Sequence, residues 1–179
     1  GKYVQALERA FCQTFKVKHA VSMNSATACL HAALLACGIK WGDEVIVSPY
    51  TFSSSASCAL MAGAVPVFAD IEPECFCLSP QSISRAITSR TRAIIPVHLC
   101  GHPADMDVIM EIAREHNLRV IEDAAQSIGA VYHSKYTGTI GDCGVFSFNQ
   151  SKQISTGEGG MLITDNDEIA DLAKQVRNH

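Results

Sequence analysis

AIIPVHLCGHPADMDVIMEIAREHNLRVIED, residues 93–123, holds two apolar runs of strand length, 93–97 and 119–123, on either side of a helical pattern. A strand that carries helices on both faces buries both sets of its side chains, so it reads as apolar throughout. Between the runs, 105–116 spaces its apolar residues at helical intervals, and Asp105 stands where it can cap that helix. Strand, helix, strand is the repeating unit of a parallel sheet.

The same alternation extends in both directions. Helical spacing recurs at 2–15, 26–37, 53–62, 80–88 and 167–177. Strand-like runs recur at 19–23, 44–48, 65–69, 143–148 and 160–164, which makes seven in all. Gly38 fits the end of the second helix, and Trp41-Gly42-Asp43 separates it from the next strand. The expected fold is α/β: one mostly parallel seven-stranded sheet with helices on both faces, in a single domain over 1–179.

Composition narrows the function. Apolar residues make up 47% and charged residues 18%, which suits a globular core. A net charge of −4 without a basic run argues against nucleic acid or an anionic membrane as partner. No apolar run is long enough to span a bilayer. Most of the eight cysteines lie inside apolar patterns, as in ACLHAALLACG, and read as reduced, buried thiols of a cytosolic (cytoplasmic) protein. The stretch His98-Leu99-Cys100-Gly101-His102 has no second pair of metal-type spacing, so no metal is expected. The chain opens on Gly1 rather than Met, which suggests a longer N-terminus.

Ligands of an open α/β sheet bind beyond the carboxyl ends of its strands. After the first strand comes Asn24-Ser25-Ala26-Thr27, either a phosphate cup at a helix N-terminus or an ordinary cap. After the second comes Pro49-Tyr50-Thr51-Phe52, whose aromatics either cover a flat ring or fill the core. After the fifth come Glu122 and Asp123; a buried carboxylate is costly unless paired, or one of the two caps a following helix. After the sixth come Ser147, a phosphate contact or a strand hydroxyl, and Lys152, with no acid within five positions of it. Glu158 reads as a solvated turn residue and the glycines beside it as a turn. A phosphate cup, a flat aromatic, a carboxylate and a lysine together suit pyridoxal 5′-phosphate (PLP). No G-x-G-x-x-G follows the first strand, and no P-loop is present.

Along nearly its whole length the chain resembles the DegT-type family of PLP-dependent sugar aminotransferases, which share the large domain of PLP-dependent transferase fold type I. The markers are NSATACLHAAL, GDEVIVSPYTF, PVFADI, TRAIIPVHLCGHPADMD, VIEDAAQSIGA, GDCGVFSF, SKQISTGEGGML and the closing RNH. The resemblance implies that Lys152 forms the Schiff base and shuttles the proton, and that Asp123 pairs with the pyridine nitrogen. It implies that Gln126 contacts the ring hydroxyl, that Phe52 stacks on the ring, and that Ala26, Thr27 and Ser147 hold the phosphate. Ala26 stands where many relatives have glycine, and Asn149 where histidine or tyrosine is frequent, a position that bears on sugar preference. Relatives that are dehydratases have histidine in place of Lys152.

The implied activity is transfer of an amino group from glutamate or glutamine to a nucleotide-linked ketosugar, in cell-surface polysaccharide or aminosugar biosynthesis. A keto-cyclitol aminotransferase and a PLP-binding regulatory protein are the alternatives. Family members are longer homodimers with a smaller C-terminal domain. The resemblance therefore implies a PLP-binding large domain truncated at both ends.

Overall fold

The computed structural model describes residues 1–178; the last residue of the RNH marker lies outside the described residues. Six α-helices are present among the described residues: α1 (Lys2–Phe15), α2 (Ala26–Ala36), α3 (Ser54–Met61), α4 (Pro80–Ala86), α5 (Met106–His116) and α6 (Asp167–Asn178). The strands of the large sheet are β1 (His19–Met23), β2 (Glu44–Val47), β3 (Val65–Phe68), β4 (Thr91–Ile95), β5 (Arg119–Asp123), β8 (Cys143–Ser147) and β9 (Gly160–Thr164). Two short strands, β6 (Val131–Tyr132) and β7 (Lys135–Tyr136), form a separate ribbon.

The sheet order is β1-β9-β8-β5-β4-β2-β3. Pairing is parallel from β3 through β2, β4 and β5 to β8, and antiparallel at β8–β9 and β9–β1. Only β9 runs against the rest, as expected of a mostly parallel seven-stranded sheet. Side-chain alternation divides the core between the two faces. Val45, Val47, Ile121, Val145 and Leu162 pack with α2, α3 and α6. Ile46, Ile94 and Val120 pack with α4 and α5, and Phe146, Met161 and Ile163 pack with Phe11 and Phe15 of α1. Both faces are covered, which is why the strands carry so few polar residues.

Several local expectations are met and others revised. Gly38 follows α2 at φ +80°, a left-handed conformation that glycine adopts without strain. Asp105 does occupy the N-cap position of α5, but its carboxylate makes no cap bond. It accepts instead from the Tyr132 hydroxyl at 3.0 Å, fastening the β6–β7 ribbon to α5. The ribbon itself turns on His133 and Ser134, both at positive φ. The cysteines are all free; four are buried, three half-buried, and Cys100 is exposed. Among the described residues no helix is long and apolar enough to cross a membrane.

Neither acid at the end of β5 caps a helix, since the chain continues into turns and the ribbon. Glu122 is fully buried and accepts four hydrogen bonds. Oε1 takes the Ile140 and Gly141 N–H groups at 2.6 and 2.7 Å; Oε2 takes the Gly138 N–H at 2.7 Å and His98 Nε2 at 2.9 Å. Nδ1 of His98 accepts from the Ala104 N–H at 3.1 Å, so the ring proton sits on Nε2 and is donated to Glu122. Both ring nitrogens are thereby committed to structure. Glu122→Gln would turn an amide NH2 toward N–H donors in either orientation. It should cost about 3 kcal/mol, read as a lower midpoint in urea unfolding.

Candidate active site

Strand register assembles the site. Met23 of β1 pairs with Gly160 of β9, Gly160 with Ser147 of β8, and Val145 of β8 with Asp123 of β5. The ends of β1, β8 and β5 and the start of β9 thus form a row of four adjacent strands, about 14 Å across at the usual spacing. Ala26 and Thr27 follow one end of the row, Lys152 its middle, and Asp123 marks the other end.

At the β1 end, Ser25 caps α2, its hydroxyl accepting from the Ala28 N–H at 3.1 Å. The ordinary cap is therefore present. It leaves the Ala26 and Thr27 N–H groups without a partner among the described residues, at the positive end of the helix dipole. Gly160 lies directly against this turn. A Cβ there would come within 2.5 Å of the Ser25 carbonyl carbon and 2.6 Å of the Ala26 nitrogen. Ser147, paired with Gly160, accepts from the Asn149 N–H at 3.3 Å through its hydroxyl.

At the β5 end, Asp123 lies on the opposite face of the strand from Glu122 and is buried. Its Oδ2 accepts the Ser55 hydroxyl at 2.8 Å and its Oδ1 the Ala125 N–H at 3.2 Å. Ser55 in turn lies 3.3 Å from the Thr51 hydroxyl. Both partners of the carboxylate are neutral. Burial pushes the Asp123 carboxyl above its ordinary value; the Ser55 and Ala125 bonds, and after them His98 and Lys152, offset this only in part. Burial, and then the Asp123 charge, push the neighbouring Cys58 thiol up to about 12.

Lys152 is half-buried, and its amine makes no hydrogen bond or ion pair among the described residues. It lines a cavity of about 380 Å³ with Cys100, Gln126, Ser151 and Gln153. Gln126 is fixed there by two bonds: its Oε1 accepts the Cys100 N–H at 2.9 Å, and its carbonyl accepts Gln153 Nε2 at 2.8 Å. Phe52 sits outside this cavity and is 69% exposed. Its carbonyl accepts the N–H of Ser55, so it lies one turn from the hydroxyl that holds Asp123.

Sequence reasoning missed Ser55, Gln153 and the closeness of Gly160 to α2. Ser55 alone left a signal: a serine run, Ser53-Ser54-Ser55, opens a helix beyond a strand end.

The donor set fits PLP. Free N–H groups at a helix N-terminus suit its phosphate, a buried carboxylate without a cation suits a protonated ring nitrogen, and an unpaired amine suits its aldehyde. A seven-stranded, mostly parallel sheet flanked by helices, with this row at its strand ends, is the fold of PLP-dependent aminotransferases. The chain matches the sequence profile of the DegT/DnrJ/EryC1/StrS aminotransferase family over residues 1–179, and it belongs to that family. It is 48% identical over 177 residues to the GDP-perosamine synthase of Caulobacter vibrioides, covering 99% of this chain and 48% of that protein. It superimposes on the X-ray structure of an aminotransferase from Psychrobacter cryohalolentis with a TM-score of 0.98 at 41% identity, covering 100% of this chain and 46% of that one. NtdA from Bacillus subtilis, solved with bound cofactor PMP, gives a TM-score of 0.92 at 38% identity, covering 98% and 40%. The family is PLP-dependent. The chain spans about half the length of the curated relatives it matches.

Two outcomes follow from this geometry. Gly160→Ala forces apart two backbones, so it should cost about 1–3 kcal/mol of stability and weaken retention of PLP by the full-length protein, measured by dialysis. Asp123 binds its proton more tightly folded than unfolded. Its contribution to cofactor-free stability is therefore full below the ordinary carboxylate range and is lost as pH rises through the raised value. The stability difference between Asp123→Asn and the parent should then shift toward the variant as pH rises above the ordinary carboxylate range, seen in denaturant titrations.

Proposed function

We propose that residues 1–179 are the cofactor-binding large domain of a PLP-dependent aminotransferase that moves an amino group from glutamate or glutamine to a nucleotide-linked ketosugar, in a cytoplasmic homodimer serving aminosugar or polysaccharide biosynthesis. The observation that carries the reading is the pairing of opposites along one row of strands: among the described residues, a buried carboxylate with only neutral hydrogen-bond partners, and a lysine whose amine has none. The name of the 48%-identical relative, a synthase of a GDP-linked sugar, supports the substrate class.

The bound cofactor supplies an aldehyde and an electron-accepting ring. Asp123 would hold the proton on the ring nitrogen, since a cation beside it offsets the cost of its burial. Ala26 and Thr27 would bind the phosphate through their N–H groups, with Ser147 adding its hydroxyl. Gln126, fixed by Cys100 and Gln153, would meet the ring hydroxyl, and Phe52 would cover the ring. Lys152 would bond the aldehyde carbon. Displaced from that carbon by the donor's amine, it would be a neutral amine in a desolvated, cationic pocket and would carry the proton between donor and acceptor carbons.

Lys152→Ala in the full-length protein should abolish both the visible absorbance of lysine-bound cofactor and glutamate consumption with nucleotide-linked ketosugars. Transamination that persists in this variant, followed by mass spectrometry of the product, sinks the assignment.

A further inference from the structure

The loop that carries Lys152, residues 148–159, bonds almost entirely to itself. The Phe148 N–H meets the Gly159 carbonyl at 2.8 Å, and the Thr156 N–H meets the Phe148 carbonyl at 3.0 Å. Asn149 accepts from Ser151 at 3.1 and 3.0 Å through Oδ1 and donates to Glu158 at 2.7 Å through Nδ2. The Lys152 N–H meets the Asn149 carbonyl at 2.9 Å. Gln153 is the exception. Its Nε2 donates to the Gln126 carbonyl at 2.8 Å, across 27 residues of sequence. Among the described residues this is the single hydrogen bond that joins the loop to anything beyond 147–160.

The two ends of that bond adjoin the two groups that matter. Gln153 follows Lys152 directly, and Gln126 lies in the turn beyond β5. Both glutamines line the cavity of Lys152, with Cys100 and Ser151. The side chain of Gln126 is oriented as well. Its Oε1 accepts the Cys100 N–H at 2.9 Å, so its donor end, Nε2, is left without a partner among the described residues. PLP carries its ring hydroxyl and its aldehyde on adjacent ring carbons. A donor for the first and an amine for the second must therefore stand at one fixed spacing. Here they come from different loops, one after β5 and one after β8. Ordering two loops against each other on binding costs affinity, and a bond that sets their spacing beforehand removes that cost.

We infer that Gln153 is a positioning residue: its amide, bonded to the main chain of Gln126, sets the spacing between Lys152 and Gln126 so that one molecule can engage both. The inference deepens the proposed function and rests on it. It adds a residue that acts through its neighbours.

The test compares two aldehydes. Full-length protein without cofactor is offered pyridoxal 5′-phosphate or formaldehyde with cyanoborohydride, and alkylation of Lys152 is timed by peptide mass spectrometry. Formaldehyde carries no ring hydroxyl, so it reports on the amine alone. Gln153→Ala should slow trapping of pyridoxal 5′-phosphate at Lys152 about fivefold, in keeping with one lost hydrogen bond, and leave formaldehyde labelling within about twofold of the parent. Gln153→Met keeps the length of the side chain without its donor and should match Gln153→Ala. In a Gln126→Ala background, Gln153→Ala should slow trapping by less than about twofold more, because the spacing no longer serves a second group. An unchanged rate in Gln153→Ala overturns the inference. So does equal slowing with both aldehydes, which marks general loss of loop order. A parental rate in Gln153→Met, or additive effects of the two alanine substitutions, overturns it too. If the parent takes formaldehyde but not pyridoxal 5′-phosphate at Lys152, the proposed function fails and the inference falls with it.

Discussion

Two carboxylates side by side at the end of one buried strand set the terms for this molecule. Removing a carboxylate from water is expensive, and β5 does it twice in succession. Because neighbouring residues of a strand face opposite sides of the sheet, the two acids meet different surroundings. Glu122 faces the α4 and α5 side, where three N–H groups and His98 satisfy it completely. Asp123 faces α3, where one hydroxyl and one N–H leave it short of positive charge. One acid is spent on holding the turn at 138–141 to the strand. The other keeps an unmet demand for a cation, which a ligand can meet.

The rest of the row is arranged around that demand. Strand register carries Asp123 across β8 and β9 to the start of α2, so acid, lysine loop and helix N-terminus lie at fixed spacing. Gly160 permits the last step, since any side chain there would separate β9 from the helix. The lysine loop is held by its own amides and hydroxyls, and its one acid is engaged by Asn149.

The sheet was legible in the sequence because burial on both faces removes polar residues from the strands, as at Ile94-Ile95 and Val45-Ile46-Val47. Lys152 and Asp123 were legible because each breaks a local pattern: an unpaired cation among small residues, and acid at the end of an apolar run. The β6–β7 ribbon was not, because its turn uses His133 and Ser134 where glycine or asparagine would have announced positive φ. Asp105 misled because a residue suited to capping can bond a distant Tyr132 instead, and only the tertiary structure decides. Ser55 lies 68 residues from Asp123, and nothing local specifies that contact.

The two halves of the site also differ in how far along the chain their supports reach. The lysine loop lies between adjacent antiparallel strands, and its bonds close within the segment 147–160 apart from that of Gln153 to Gln126. Asp123 is placed only once β5 is paired with β8 and α3 has docked from the other side of the chain. Short loops close at less entropic cost than long ones. A folding chain can thus shape its lysine before its acid has a setting. Competence to retain the cofactor then arrives with the last long-range contacts, and retention reports on completion of the sheet.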